Sequence, residues 1–338
     1  MRELINLIDM QPFGSVVSMY KPKDVTLKPF AFVLNVSKLI GSSGVEIAPG
    51  HTLRRATSEE IKFIKNTTTS LFGHHFGAGL WETRKPKSGS GKYVQLPASQ
   101  WRYFVIEFSS DNENLELLQQ ALAIAPYGLE IGSTLLTATL NNQAVPVCIY
   151  RPPRLFQLLS ELDSAFRSKQ GNVRTLTEAD GEQISEVYTR LGTHDHKIID
   201  LHRIINLVLE LKDLPPFSPL QILGYFAVLE SILTHQPNPD DRYDSITRQI
   251  TQKLALLNSR WYPALNYTSF GNATHDKIWS KMYAYRSAIA HGTTPDFKSK
   301  LSMLGTADNA NVLIRDAVKK TTCQALIEPQ LLADLHNC

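Results

Sequence analysis

The stretch KMYAYRSAIAHGTT, residues 281–294, decides how the C-terminal half of this chain is read. Together with the residues just before it, the stretch carries two patterns at once. With about 100° of turn per residue, Ile278, Met282, Tyr285 and Ile289 fall within about 60° of one another and form a core-facing stripe. Tyr283, Arg286, Ser287 and His291 spread over an adjoining arc of about 140°. Gly292 follows as a helix stop, so His291 lies in the last turn, where the helix dipole favours its protonated form. One helix therefore has a packing face and a separate face of chemically capable groups. Cations near a helix C-terminus are stabilised whatever their role, so the pair gains meaning only from its surroundings.

Those surroundings are helical. The segments 154–168, 177–191, 196–212, 218–235, 243–258, 275–291, 307–320 and 324–336 all carry helical spacing. Breakers separate them: GNVR, LPPFSP, QPNPDD, WYPALNYTSFGN and HGTTPDF. No repeat of fixed period is present, which argues against a solenoid and for a helical bundle.

The texture changes near residue 150, around RPPR (151–154). Before it, FAFVLNV (30–36), YVQLPASQWRYFVIEF (93–108), LLTATL (135–140) and VPVCIY (145–150) read as strands, the last two joined by the turn-like NNQA. Helices intervene at TSEEIKFIKNTTTSLF, where Thr57 and Glu60 suit a capping box, and at NLELLQQALAIA. The fold class expected is α+β: a mixed α/β domain over 1–150, connecting helices over 151–195 and an all-α domain over 196–338. The first domain holds the most basic loop, TRKPKSGSGK (83–92), with Arg84, Lys85, Lys87 and Lys92 on a Gly/Ser frame. Such a loop either contacts RNA or is a solvated connection.

Composition narrows the function. With 43% apolar and 20% charged residues in 338, the chain is long enough for two domains with cores of their own. No run approaches the ~18 apolar residues of a membrane span, and the start, MRELINLIDM, lacks the apolar core of a secretion signal. A cytoplasmic protein without membrane contact is expected. Three cysteines without CxxC spacing suggest neither a disulfide framework nor a zinc site. The net charge of +3 permits a nucleic-acid partner without requiring one. THDHKIIDLH offers His194, His196, Asp200 and His202, with His196 and Asp200 one turn apart and His202 displaced, but a solvated helix start explains the string equally well. His74 and His75 lie on a glycine-flanked turn that fits neither a P-loop nor a dinucleotide fingerprint. No signature of a covalent hydrolase is present. Neither a cofactor nor a metal is expected.

The constellation YAYRSAIAHG resembles the Arg-x4-His motif of the HEPN superfamily, the higher eukaryote and prokaryote nucleotide-binding domains, and is most similar to its Apea-like branch. There, a helix that starts Tyr/Arg/Ser and ends His-Gly follows an earlier helix of the type LGYFAVLESILTH (223–235), with a helix like ITRQITQKLALL (246–257) between them. The resemblance covers about residues 196–338 and omits the N-terminal half. It implies an all-α bundle that dimerises, with the Arg-x4-His helices of two protomers across a shared cleft. Many members are metal-independent endoribonucleases of defence, toxin or stress systems; for this chain the partners expected on that analogy are RNA, as tRNA or mRNA, a second copy of itself, and an antitoxin or a phage trigger. Others are non-catalytic RNA-binding or assembly modules.

On this resemblance, His291 moves protons and Arg286 stabilises charge on the phosphate in flight. A dimer would supply two histidines, one as acid and one as base. Ser287 stands where other members carry Asn, Asp or His, and could orient substrate or the catalytic pair. Tyr283 either meets a base or phosphate, or packs against the partner. Glu230, in AVLESIL, matches an acidic position of the earlier helix and would pair with Arg248, Arg286 or another cation.

Overall fold

The computed structural model describes residues 16–18, 27–40, 44–72, 81–84, 94–108, 114–140, 143–150, 174–195, 197–214, 218–237 and 245–338. The expected helix 154–168, the histidines His74, His75 and His196, and the loop residues Lys85, Lys87 and Lys92 lie outside the described residues. The chain divides into two compact units: Met1–Leu122 with Tyr127–Tyr188, and Ala123–Pro126 with Thr189–Cys338. Strand-rich and helix-rich halves follow one another, as an α+β chain requires.

The first unit contains β1 (Val16–Ser18), β2 (Phe30–Val33), β3 (Val36–Leu39), β4 (Val45–Ala48), β5 (His51–Arg55), α1 (Ser58–Phe72), β6 (Thr83–Arg84), β7 (Val94–Gln95), β8 (Phe104–Phe108), α2 (Leu115–Ile124), β9 (Ile131–Leu140), β10 (Gln143–Tyr150) and β11 (Arg174–Leu176). Seven strands form an antiparallel sheet in the order β1-β10-β9-β2-β8-β5-β4. The middle strand, β2, is buried along its whole length, which is why its four residues are all apolar. Phe30, Phe32 and Leu34 join Phe63, Ile64, Trp81, Tyr103 and Val105 in one core cluster, and α1 supplies Phe63 and Ile64. The α1 start is the expected capping box: Glu60 accepts from the Thr57 amide at 2.7 Å, and Thr57 Oγ1 accepts from the Glu60 amide at 3.3 Å.

Three sequence expectations are revised in this unit. The run 30–36 is two strands, because Asn35 turns its side chain to the backbone of Gly128 and Glu130, at 3.0 Å each, and breaks the ladder. The run 93–108 is also interrupted: after Pro97, which has no amide to give, a 3-10 turn over Ala98–Gln100 intervenes before β8. Finally, part of the expected connecting segment belongs to the first unit. β11 pairs parallel with β3, and α3 (Glu178–Gly192) begins against β4, where Gly181 lies so close to Val45 that a Cβ would collide.

The second unit is helical: α4 (Leu201–Asp213), α5 (Pro219–Leu233), α6 (Ile246–Arg260), α7 (His275–Ala290), α8 (Ala307–Ile327) and α9 (Pro329–Asn337). Helix α5 is apolar nearly all round, with Ile222, Tyr225, Phe226, Val228, Leu229, Ile232 and Leu233 buried, and it packs against α4, α6, α7, α8 and α9. It is the bundle's central helix. The two segments expected at 307–320 and 324–336 divide later than the sequence suggests. Thr321 and Thr322 are fully buried inside α8, and the Thr322 hydroxyl donates to the Val318 carbonyl one turn back at 2.8 Å. The break falls instead at Glu328, ahead of Pro329 at the first turn of α9.

Candidate active site

Helix α7 is held at three places. At its start, the His275 Nε2–H donates to the Thr251 carbonyl of α6 at 2.9 Å, which leaves Nδ1 to accept from the Tyr267 hydroxyl at 2.7 Å. The Trp279 indole donates to the same hydroxyl at 3.1 Å. Along its length, Ile278, Trp279, Met282 and Tyr285 are buried. Trp279 was not part of the expected stripe, whereas Ile289 was and is only half-buried. The ring of Phe226 on α5 meets Trp279 and Tyr283 edge-on, at centroid distances of 6.5 and 5.9 Å.

Its end is a Schellman motif. The Gly292 amide donates to the Ile289 carbonyl at 3.0 Å and the Thr293 amide to the Ala288 carbonyl at 2.8 Å, with Gly292 at φ 68°. His291 is the cap residue itself, with its amide on the Ser287 carbonyl at 3.0 Å and its side chain exposed. The expected location in the last turn is thus refined by one residue.

Arg286 sits inside the bundle's rim. Its Nη2 donates to Glu230 Oε2 on α5 at 3.4 Å, and its guanidinium lies 5.6 Å from the centre of the Tyr283 ring. The arginine and glutamate side chains are 29% and 19% exposed. Glu230 Oε1 and Arg286 Nε are buried without hydrogen-bond partners among the described residues. Burial raises the Glu230 carboxyl above the ordinary glutamate value, and the neighbouring guanidinium opposes that rise. Of the partners open to Glu230 from the sequence, Arg286 is the one it meets.

The site residues expected from the sequence therefore fall into two groups. Tyr283 and Arg286 come together with Glu230, whose expected pairing with a cation is met by Arg286. Ser287 is half-buried beside them on α7. His291 makes no hydrogen bond or ion pair with Tyr283 or Arg286 among the described residues; five helical steps place it about 7.5 Å further along the axis and about 140° round from Arg286. Tyr283 has its ring engaged by Phe226 and Arg286, so its first role is to support the arginine. Arg84 is exposed on β6 of the first unit.

Asp200 is the N-cap of α4, accepting from the Arg203 amide at 3.1 Å, so the helix begins after it rather than at residue 196. Among the described residues no group of three or more His, Cys, Asp or Glu side chains could hold a metal ion. No helix among them is long and apolar enough to cross a membrane. Comparison with known proteins gives no further identification: no family model matches the chain, and neither a curated protein nor a solved structure matches it.

Proposed function

We propose that this chain is a metal-independent endoribonuclease of the HEPN type, working as a homodimer in the cytoplasm, in a bacterial anti-phage defence or toxin system. One observation carries the reading: a guanidinium fixed by Glu230 and Tyr283 and an exposed histidine at the C-cap share one helix, five residues apart. Arg286 offers paired donors to a phosphate. His291 offers an imidazole that can accept a proton in one step and give one up in another.

The chemistry is transesterification. The ribose 2′-oxygen attacks phosphorus as its proton passes to one imidazole, the P–O5′ bond breaks, and a second imidazole protonates the departing 5′-oxygen. A 2′,3′-cyclic phosphate and a 5′-hydroxyl result. A single chain gives this site one histidine, turned away from its own Arg286 by about 140°, so the second proton-transfer group comes from another copy. Ser287 orients substrate beside Arg286. The first unit, with Arg84, Lys85 and Lys87, recognises the RNA, whether tRNA or mRNA, or senses a phage trigger, and an antitoxin restrains the enzyme.

A second reading is favoured by the Glu230–Arg286 pair itself, since an ion pair between two helices also suits a non-catalytic module that dimerises and binds RNA or protein. Incubation of purified protein with total cellular RNA in excess EDTA separates the two. Wild type should leave 2′,3′-cyclic phosphate ends that folded Arg286→Ala and His291→Ala proteins do not. Identical cleavage patterns from all three proteins, or none from wild type on any RNA, would overturn the enzymatic reading.

A further inference from the structure

The contact between Glu230 and Arg286 is unlike the pairs that Arg54 and Arg260 make with glutamates. Arg54 grips Glu60 through two contacts of 2.8 Å and Glu107 through one of 2.6 Å. Arg260 grips Glu328 through contacts of 2.7 and 2.8 Å. In each of these the guanidinium closes tightly on its carboxylate, the geometry that makes such pairs strong. At Arg286 it does not close. A single 3.4 Å contact joins the two groups, while Nε on one side and Oε1 on the other are buried and unbonded.

A buried donor and a buried acceptor without partners weigh against a pair whose purpose is stability, because each loses its water without full replacement. Glu230 therefore leaves Arg286 with bonding capacity in hand. Solvent reaches the arginine side chain more than the glutamate. A phosphate diester presents two oxygens that a guanidinium can grip in a fork, which one long contact to Glu230 does not provide.

We propose that Glu230 is a positioning residue that serves as an exchangeable counter-ion: it holds Arg286 until a backbone phosphate arrives and then yields the guanidinium to it. The identity of that phosphate as RNA rests on the ribonuclease reading; the exchange itself does not. Throughout the exchange the Tyr283 ring holds the guanidinium from the side. Two anions competing for one cation set a threshold. A lone small anion displaces the carboxylate poorly, whereas a strand with further contacts does so readily. Glu230 thus weakens ground-state binding of both by the same factor, and a strand, with its further contacts, still binds where a small anion does not.

The test removes the competing charge. Wild type, Glu230→Gln, Arg286→Ala and the double variant are titrated with a 2′-O-methyl RNA oligonucleotide, which cannot be cleaved, and separately with inorganic pyrophosphate. Glu230→Gln should bind both probes about fivefold more tightly, the effect of removing one partly exposed competing charge, and KM for a cleavable RNA should fall with it. Arg286→Ala should bind more weakly, and the double variant should show no gain over it. A gain with pyrophosphate, with no RNA bound by any of the proteins, upholds the counter-ion and overturns the RNA reading. RNA bound or cleaved with equal affinity by wild type and Glu230→Gln overturns the counter-ion and leaves the RNA reading intact. No binding of either probe overturns both. Should Glu230→Gln not fold, Glu230→Ala, which also removes the charge, must give the same gain in pyrophosphate affinity, and its absence overturns the proposal.

Discussion

The guanidinium of Arg286 lies over the ring of Tyr283, three residues earlier on α7, with its central carbon 5.6 Å from the ring centre. Residues at this spacing are neighbours on a helix surface, and an aromatic face attracts a cation electrostatically. The ring is itself fixed by the edge of Phe226. Tyr283→Leu should therefore weaken binding of a 2′-O-methyl RNA oligonucleotide by about fivefold, from a cation–π contact between the exposed and desolvated limits. Tyr283→Phe, which keeps the ring and loses the hydroxyl, should bind as wild type does. Equal losses in the two variants would assign the role to the hydroxyl instead.

Two glycines at close approaches should respond differently to alanine. A Cβ at Gly181 meets Val45 Cγ1 and comes within 2.9 Å of the Glu46 carbonyl oxygen, a backbone atom of β4 that cannot step aside. A Cβ at Gly224 meets Cδ2, Cδ1 and Cγ of the Leu211 side chain, with no backbone atom among its three nearest neighbours. Overpacking costs about 1–3 kcal/mol, and alanine in a helix returns about 1 kcal/mol relative to glycine. Gly181→Ala should lower urea stability at the upper end of that range, and Gly224→Ala should be close to neutral. Combining Gly224→Ala with Leu211→Ala should cost less than the sum of the single changes, because the two sites touch.

Gly292 poses a different constraint. Nothing lies within 4 Å of a Cβ built there, but its φ of 68° is a left-handed conformation that side chains resist. Gly292→Ala should cost about 1–2 kcal/mol in denaturant unfolding, and Gly292→Asn less, since asparagine tolerates this region. Cleavage by the alanine variant should fall more than its stability explains, because the neighbouring cap residue is His291.

Acid should act on the two units with opposite signs at two named groups. In the first, the Arg54 hydrogen bond holds the Glu107 carboxyl below the ordinary glutamate value of 4.5. Its folded form is charged where its unfolded form is already protonated, so its contribution is complete above 4.5 and is lost as pH falls through the lower folded value. In the second, burial lifts the Glu230 value. That contribution is present at low pH and is lost as pH rises through the raised folded value. Denaturant titrations across the acid range should show Glu107→Gln removing part of the acid sensitivity, and Glu230→Gln stabilising the fold relative to wild type above the raised value.

Much of the bundle was legible in the sequence because helix signals are local. Apolar spacing and the stop at Gly292 depend on neighbours a turn or two away. The sheet was less legible. The hairpin of β4 and β5 turns at Pro49–Gly50, with Gly50 at φ 74°, a dipeptide signal that the sequence carries but that flanking strands of only four and five residues did not reinforce. β11 has no signal of its own: Arg174, Thr175 and Leu176 become a strand because β3 is there to pair with. At the site, the polar face of α7 was readable from periodicity, whereas the choice of Arg286 over other cations as the partner of Glu230 depends on how α5 and α7 pack, which no spacing encodes. Buried Trp279 likewise follows from the position of Phe226 on another helix.

The parallel pairing of β11 with β3 has a consequence for synthesis. A polypeptide emerging from the ribosome presents β3 and β4 long before the residues that pair with the one and lie against the other. Unprotected strand edges invite other chains, so the nascent sheet needs the downstream segment soon after it appears. A fragment stopped at residue 150 should collect in the insoluble fraction, while one carried past α3 should not.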